Sequence, residues 1–265
     1  FSAPRIYGED ERRGFLLLED LGDNTYTRVF ATVGDEEMLY ELAIDTLIQL
    51  HELSSTTTVP ADTAPYDLSR LMTEVALIAD WYLPTIGISL SGDARSSFDT
   101  VWQSAFTKVA DKQETLVLRD YHVDNLMWLS HRTDTARCGL LDFQDALVGA
   151  RAYDLMSLIE DARRDVPTAR ADKLIKRYLD ACDDIDEQTL RQDIAILGAG
   201  RHAKVIGIFT RLAERDGKSQ YLDHIQRVWG LLENSLQHPA LADVQDWFDT
   251  HVPKGQRIIP SIKTE

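Results

Sequence analysis

Two acids and an amide near the middle of the chain have the types and spacing that catalysis needs. In "LRDYHVDNLMWL" (118–129) four residues separate Asp120 from Asn125, and "GLLDFQDA" (139–146) supplies Asp142 further on. "NLMWLS" and "RCGLLDF" are short apolar runs on either side of the turn-rich "HRTDTA" (131–136), so they read as a β-hairpin. Asn125 enters its first strand and Asp142 leaves its second. Folding the hairpin brings the amide and the carboxylate face to face. Such an oxygen-lined pair suits Mg2+, which keeps several waters and takes substrate phosphates as its remaining ligands. Asp120 is left beside that pair as an acceptor for a substrate proton. The competing reading is a polar hairpin whose Asp and Asn side chains only make Asx turns.

The elements that must position these residues are mostly helical. Helices are expected at 35–53, 68–84, 93–110, 152–164, 167–183, 187–213, 217–236 and 240–251, with Gly217 in "RDGK" marking an end. In the first, Met38, Leu39, Leu42, Ala43, Leu47 and Leu50 recur at helical spacing behind an acidic first turn. "GFLLLEDL" (14–21) reads as a buried strand, "ETLVLRD" as a β-branched run leading to Asp120, and "STTTVPADTAPYD" (55–67) as a polar surface connection. At 265 residues and 44% hydrophobic, the chain can bury the core of one or two domains. A net charge of −16 repels a phosphate backbone, which argues against nucleic acid as a partner. Two cysteines, Cys138 and Cys182, exclude a disulfide scaffold or zinc finger and fit a reducing, cytoplasmic compartment. No apolar run approaches the ~20 residues that span a bilayer, so no membrane association is expected. Oligomeric state is not legible.

"RDYHVDN" followed by "LLDF" resembles the catalytic loop and metal-binding strand of the protein-kinase-like phosphotransferases, whose pattern is Asp, four residues, Asn, a hairpin and a second Asp. The likeness is strongest to the aminoglycoside phosphotransferase and choline kinase branch, where the second Asp is not followed by Phe-Gly; here Phe143-Gln144-Asp145 follows. It runs over nearly the whole chain. It implies an α+β, protein-kinase-like fold with a mostly helical lobe, ATP and Mg2+ as cofactors, and transfer of the γ-phosphoryl group to a hydroxyl of a small molecule. Asp120 would be catalytic, Asn125 and Asp142 would hold the metal, and Asp154, with Arg119, would support the catalytic loop. "LLLEDLGD" (16–23) is similar to the hinge of that branch, where the Glu19 C=O and Leu21 N–H would bond adenine and Leu18 would flank the ring. "GIFTRLAERDGKSQYL" with "HPALADVQDWFDTHVP" resembles the C-terminal half of bacterial sugar kinases that phosphorylate the anomeric hydroxyl of N-acetylmuramate and N-acetylglucosamine in cell-wall recycling. An amino sugar is therefore the expected acceptor. An aminoglycoside, a choline-like alcohol, and nucleotide binding without transfer are the alternatives.

The sequence departs from the branch in places. Leu118 stands where a loop-supporting His is usual, and His122 where protein kinases carry a Lys toward the γ-phosphate. Few residues precede the hinge, too few for a Gly-rich loop and a strand Lys, so these are expected upstream. The resulting division is a remnant of a nucleotide lobe (1–18), a hinge (19–23) and a helical catalytic and substrate-binding lobe (24–265). Other residues carry two readings each. His122 and Asp124 could contact phosphate or substrate, or ligate the metal of a hydrolase, although no second His cluster supports the latter. Trp81 beside Tyr82 could stack on a sugar or pack in a core. Arg211 and Arg215 could meet a substrate carboxylate, or pair with Glu214 and Asp216 at the surface.

Overall fold

A computed structural model of the protein describes residues 1–33, 35–53 and 59–262. Its elements in chain order are β1 (Ile6–Asp10), β2 (Phe15–Leu18), α1 (Tyr26–Val33), α2 (Glu36–Glu52) and α3 (Leu68–Leu77), which continues into a π-helical turn, Ile78–Tyr82. Then come α4 (Gly92–Phe106), β3 (Thr115–Val117), β4 (Leu126–Trp128), β5 (Cys138–Leu140), β6 (Leu147–Gly149) and α5 (Ala152–Ile159). The chain closes with α6 (Thr168–Ala181), α7 (Glu187–Asp216), α8 (Ile225–Leu236) and α9 (Ala242–His251). These gather into two compact units. The first comprises Phe1–Thr63, Glu114–Ile159 and Val166–Asp186; the second comprises Ala64–Gln113, Glu160–Asp165 and Glu187–Glu265. Residues 55–58 of the connection expected at 55–67 lie outside the described residues.

In the first unit α2 forms because Asp35 caps it, accepting the Met38 N–H at 3.0 Å, and because Leu39, Leu42, Ala43, Leu47 and Leu50 make one buried stripe. Its acidic face meets the basic face of α6. Arg170 pairs with Glu36 at 2.8 Å, Lys173 with Glu37, and Arg177 grips both oxygens of Asp45 at 2.6 and 2.8 Å. Solvent-accessible pairs like these contribute little individually. All eight residues of α5 are buried. The hairpin expected from the sequence is present: β4 and β5 run antiparallel, with Leu126 opposite Leu140 and Trp128 opposite Cys138. A second pair, β3 with β6, was not expected, and neither was α1.

Two expectations fail here. Residues 14–21 were read as a buried strand, yet Phe15 and Leu17 of β2 are 66% and 65% exposed. The reason is that β2 pairs with β1 in a two-stranded sheet, which offers no layer to cover an apolar run. The helix read at 152–164 stops at Ile159, because Asp161 Oδ1 accepts the Arg163 N–H at 2.8 Å and closes an Asx turn instead of another helical turn.

The second unit is built on α7, thirty residues long. Gly207 lets its backbone touch the end of α3: a Cβ there would lie 2.3 Å from the Leu77 carbonyl carbon and 2.7 Å from the Ile78 nitrogen. Gly200 similarly admits the Phe106 ring. Phe98, Trp102, Trp229, Trp247 and Phe248 pack edge to face or tilted around one core, and Tyr82 joins it against Trp229. Arg257 is buried but fully employed: Nε donates to the Val252 C=O, while the two Nη atoms each reach a carboxylate, Glu233 and Asp249, at 2.6 Å.

Candidate active site

The catalytic-type loop lies in the first unit between β3 and β4 and is held from several sides. Asp154, buried on α5, accepts the Leu118 N–H at 2.6 Å with one carboxylate oxygen and the Arg119 N–H at 2.9 Å with the other. Those bonds hold Arg119 at φ 71°, a left-handed conformation that disfavours a residue with a Cβ by about 1–2 kcal/mol. The Ser157 hydroxyl reaches the Arg119 C=O at 3.4 Å, and the Arg119 guanidinium reaches the Asp145 C=O at 3.4 Å. Tyr121 is fully buried and donates its hydroxyl to the Ala43 C=O of α2 at 2.8 Å. From α1, the Thr27 hydroxyl bonds Asp124. The loop is thus anchored to three helices.

Within this frame the three residues singled out by spacing do converge. Asn125 Nδ2 donates to the Asp120 C=O at 3.0 Å and lies 3.4 Å from Asp142 Oδ2. Asp120 and Asp142 are both exposed. Asp142 also sits at positive φ, 59°, at the point where the chain leaves β5. Committing Nδ2 to the Asp120 carbonyl turns Asn125 Oδ1 away from it, leaving the oxygen as the amide atom suited to a cation. An amide oxygen and a carboxylate are hard donors, and two protein ligands match a Mg2+ ion that keeps waters and binds phosphates. The residues present therefore fit that ion. Among the described residues, no group of three or more His, Cys, Asp or Glu side chains is arranged to hold a metal.

The remaining candidates fall as follows. His122 is buried, with Nε2 3.4 Å from the Asn125 amide. Leu118 is buried and contributes its N–H to the brace. Leu18 ends β2 and is exposed, whereas Glu19 and Leu21 are half-buried in the irregular segment before α1. The Glu19 N–H donates to the Arg5 C=O at 2.7 Å. Trp81 lies half-buried on the π-helical turn, and Arg211 half-buried on α7, both in the second unit. Arg215 pairs with Asp216, the surface ion pair weighed as its alternative reading. Two site neighbours carried no sequence signal strong enough to be singled out. Gln144 donates to Asp142 Oδ1 at 2.6 Å, and Thr27 comes from a helix that was not expected.

The chain belongs to the phosphotransferase enzyme family, which residues 1–191 match. It is 37% identical over 261 residues to an N-acetylmuramate/N-acetylglucosamine kinase of Caulobacter vibrioides, covering 97% of this chain and 72% of that one. A protein of the same name from Pseudomonas aeruginosa is 35% identical over 262 residues, covering 96% and 74%. Among solved structures, a choline/ethanolamine kinase family protein from Mesorhizobium loti superposes with a TM-score of 0.61 at 11% identity, covering 94% of this chain and 79% of that chain. The ADP-bound aminoglycoside phosphotransferase APH(2'')-Ib does so at 0.53 and 17%, covering 89% and 76%. These two show the fold, which is the α+β, protein-kinase-like one expected from the sequence. Among the described residues no helix is long and apolar enough to cross a membrane.

Proposed function

We propose that the protein is a kinase that moves the γ-phosphoryl group of ATP to a hydroxyl of an amino sugar of the N-acetylmuramate or N-acetylglucosamine type. The observation that carries this reading is the Asn125–Asp142 pair, 3.4 Å apart, with Asp120 joined to it through the Asn125 amide. The acceptor is supported by the name shared by two relatives at 37% and 35% identity over almost the whole chain. Asn125 Oδ1 and the Asp142 carboxylate would hold the divalent ion, which when bound would neutralise phosphate charge. Asp120 orients the acceptor hydroxyl and receives its proton as the new P–O bond forms, while the terminal P–O bond of ATP breaks and ADP leaves. Most of the rate enhancement then comes from positioning and charge neutralisation, and proton acceptance adds about 10²–10⁴-fold. Glu19 and Leu21 offer a backbone carbonyl and an N–H to the adenine edge, with Leu18 against the ring.

The test is ATP turnover by the whole protein against a panel of amino sugars, aminoglycosides and choline. Amino sugars are expected to stimulate turnover. Asp120→Asn should lower kcat by about 10²–10⁴-fold with little change in nucleotide affinity. Asp142→Ala should lose at least as much and also weaken nucleotide binding in the presence of Mg2+. Stimulation by an aminoglycoside alone, or by no acceptor at all, overturns the reading.

A further inference from the structure

Glu19 does more than supply a backbone group. Its carboxylate spans three separate strands of chain in the first unit. Oε2 accepts the Arg5 N–H at 3.2 Å, completing a reciprocal pair with the Glu19 N–H on the Arg5 C=O. Oε1 takes Arg132 Nη2 at 2.6 Å. Arg132 belongs to the turn of the β4–β5 hairpin, where its own N–H returns to the Leu129 C=O at 3.0 Å. Both side chains are largely covered, 24% and 26% exposed, so solvent screens this pair less than a fully exposed one. Two residues on, Leu21 closes on the same hairpin. A Cβ built on Gly139 would meet Met127 Cβ at 2.8 Å, Leu129 Cδ1 at 3.1 Å and Leu21 Cδ1 at 3.3 Å, so Leu21 lies close against the bare backbone of Gly139. The segment 19–21 is therefore fastened to the hairpin at both ends, ionically through Glu19–Arg132 and by packing through Leu21–Gly139.

We infer that Arg132 and the Glu19 side chain are positioning residues for the nucleotide: their ion pair sets the distance between segment 18–21 and the hairpin whose open end carries Asn125 and Asp142. A nucleotide holding its base at the first and its phosphates at the second needs that spacing fixed before it binds. The inference rests on the proposed nucleotide site but not on the identity of the acceptor. Neither side chain touches the reacting atoms.

The experiment measures ADP affinity in the presence of Mg2+ by titration calorimetry, alongside steady-state kinetics, for the whole protein and for Glu19→Gln, Arg132→Gln, Arg132→Lys and the Glu19→Gln/Arg132→Gln double variant. Each Gln variant should raise the ADP Kd and the ATP KM about three- to tenfold while acceptor KM and kcat stay within twofold. The double variant should be no worse than the poorer single one, and Arg132→Lys, which keeps the charge, should recover most of the loss. An unchanged ADP Kd, an equal rise in acceptor KM, or additive losses would overturn the inference. A protein that binds ADP yet phosphorylates no amino sugar overturns the proposed acceptor, and the Kd series still decides the ion pair. One that binds no nucleotide overturns both.

Discussion

Asp154 shows how much one buried carboxylate does for the site. It is 1% exposed and satisfies two consecutive amides, and those two bonds help to hold Arg119 at positive φ. Asp154→Asn replaces one acceptor oxygen with an NH2 group that faces an N–H, so stability should fall by about 2–3 kcal/mol. The relaxing loop should displace Asp120 and lower kcat more than tenfold while the ADP Kd changes little. Urea denaturation with steady-state kinetics checks both, and a variant that lost stability but kept kcat would refute the brace. At this scale the sequence was most informative. Asp120, Asn125, Asp142 and Asp154 are polar residues at fixed offsets from apolar strands and a helix, and local pairing alone brings the first three together. Gln144 and Thr27 were not singled out for opposite reasons. Gln144 is local, but an amide two residues from a carboxylate has no distinctive signature. Thr27 reaches Asp124 across 97 residues of sequence, which no spacing rule covers.

Among the elements, α7 and α8 carry glycines that look alike in sequence and differ in space. Gly207 has the backbone of Leu77 and Ile78 where its Cβ would be, and Ile78 opens the π-helical turn. Gly207→Ala must push α7 off α3, so it should destabilise by about 1–3 kcal/mol, or prevent folding. Gly230, on α8, has nothing within 4 Å of the same position. Gly230→Ala should stabilise by about 0.5–1 kcal/mol through lost chain entropy alone. Opposite shifts in the urea midpoint, with unchanged slope, are the expected result; shifts of the same sign would refute the close contact. Helical spacing of apolar residues made α2 legible, and α4, α6 and α7 lie close to the spans expected for them. The burial of β2 was misread because an apolar run looks the same whether or not another layer covers it. The end of α5 was misread because Asp161 competes with the helix locally, in a stretch whose composition still favours helix.

For the whole molecule, pH is the variable that should expose the pairing of a half-buried carboxyl with a buried imidazole in the second unit. Glu160 Oε2 lies 3.4 Å from His202 Nε2. Burial pushes the Glu160 carboxyl up to about 8. Burial first, and then the charge of Arg201, pushes His202 down to about 3. Each group therefore prefers its neutral form in the fold, and the two act on opposite limbs of the stability curve. His202 costs nothing above its unfolded value of 6.5; as pH falls below that, the unfolded chain takes up the proton first, and stability is lost down to about 3. Glu160 costs nothing below its unfolded value of 4.5; as pH rises, the unfolded chain gives up the proton first, and stability is lost up to about 8. Glu160→Gln keeps the neutral shape and removes the alkaline loss. It should raise stability at pH 8.5 by about 1–2 kcal/mol, less than the full shift implies because part of the side chain meets water. At pH 4 it should change nothing. His202→Gln should instead flatten the acid limb and leave pH 8.5 unaffected. Melting temperatures of the three proteins from pH 4 to pH 9 provide the measurement. If Glu160→Gln shifted both limbs equally, ionisation of Glu160 would not be what the fold opposes.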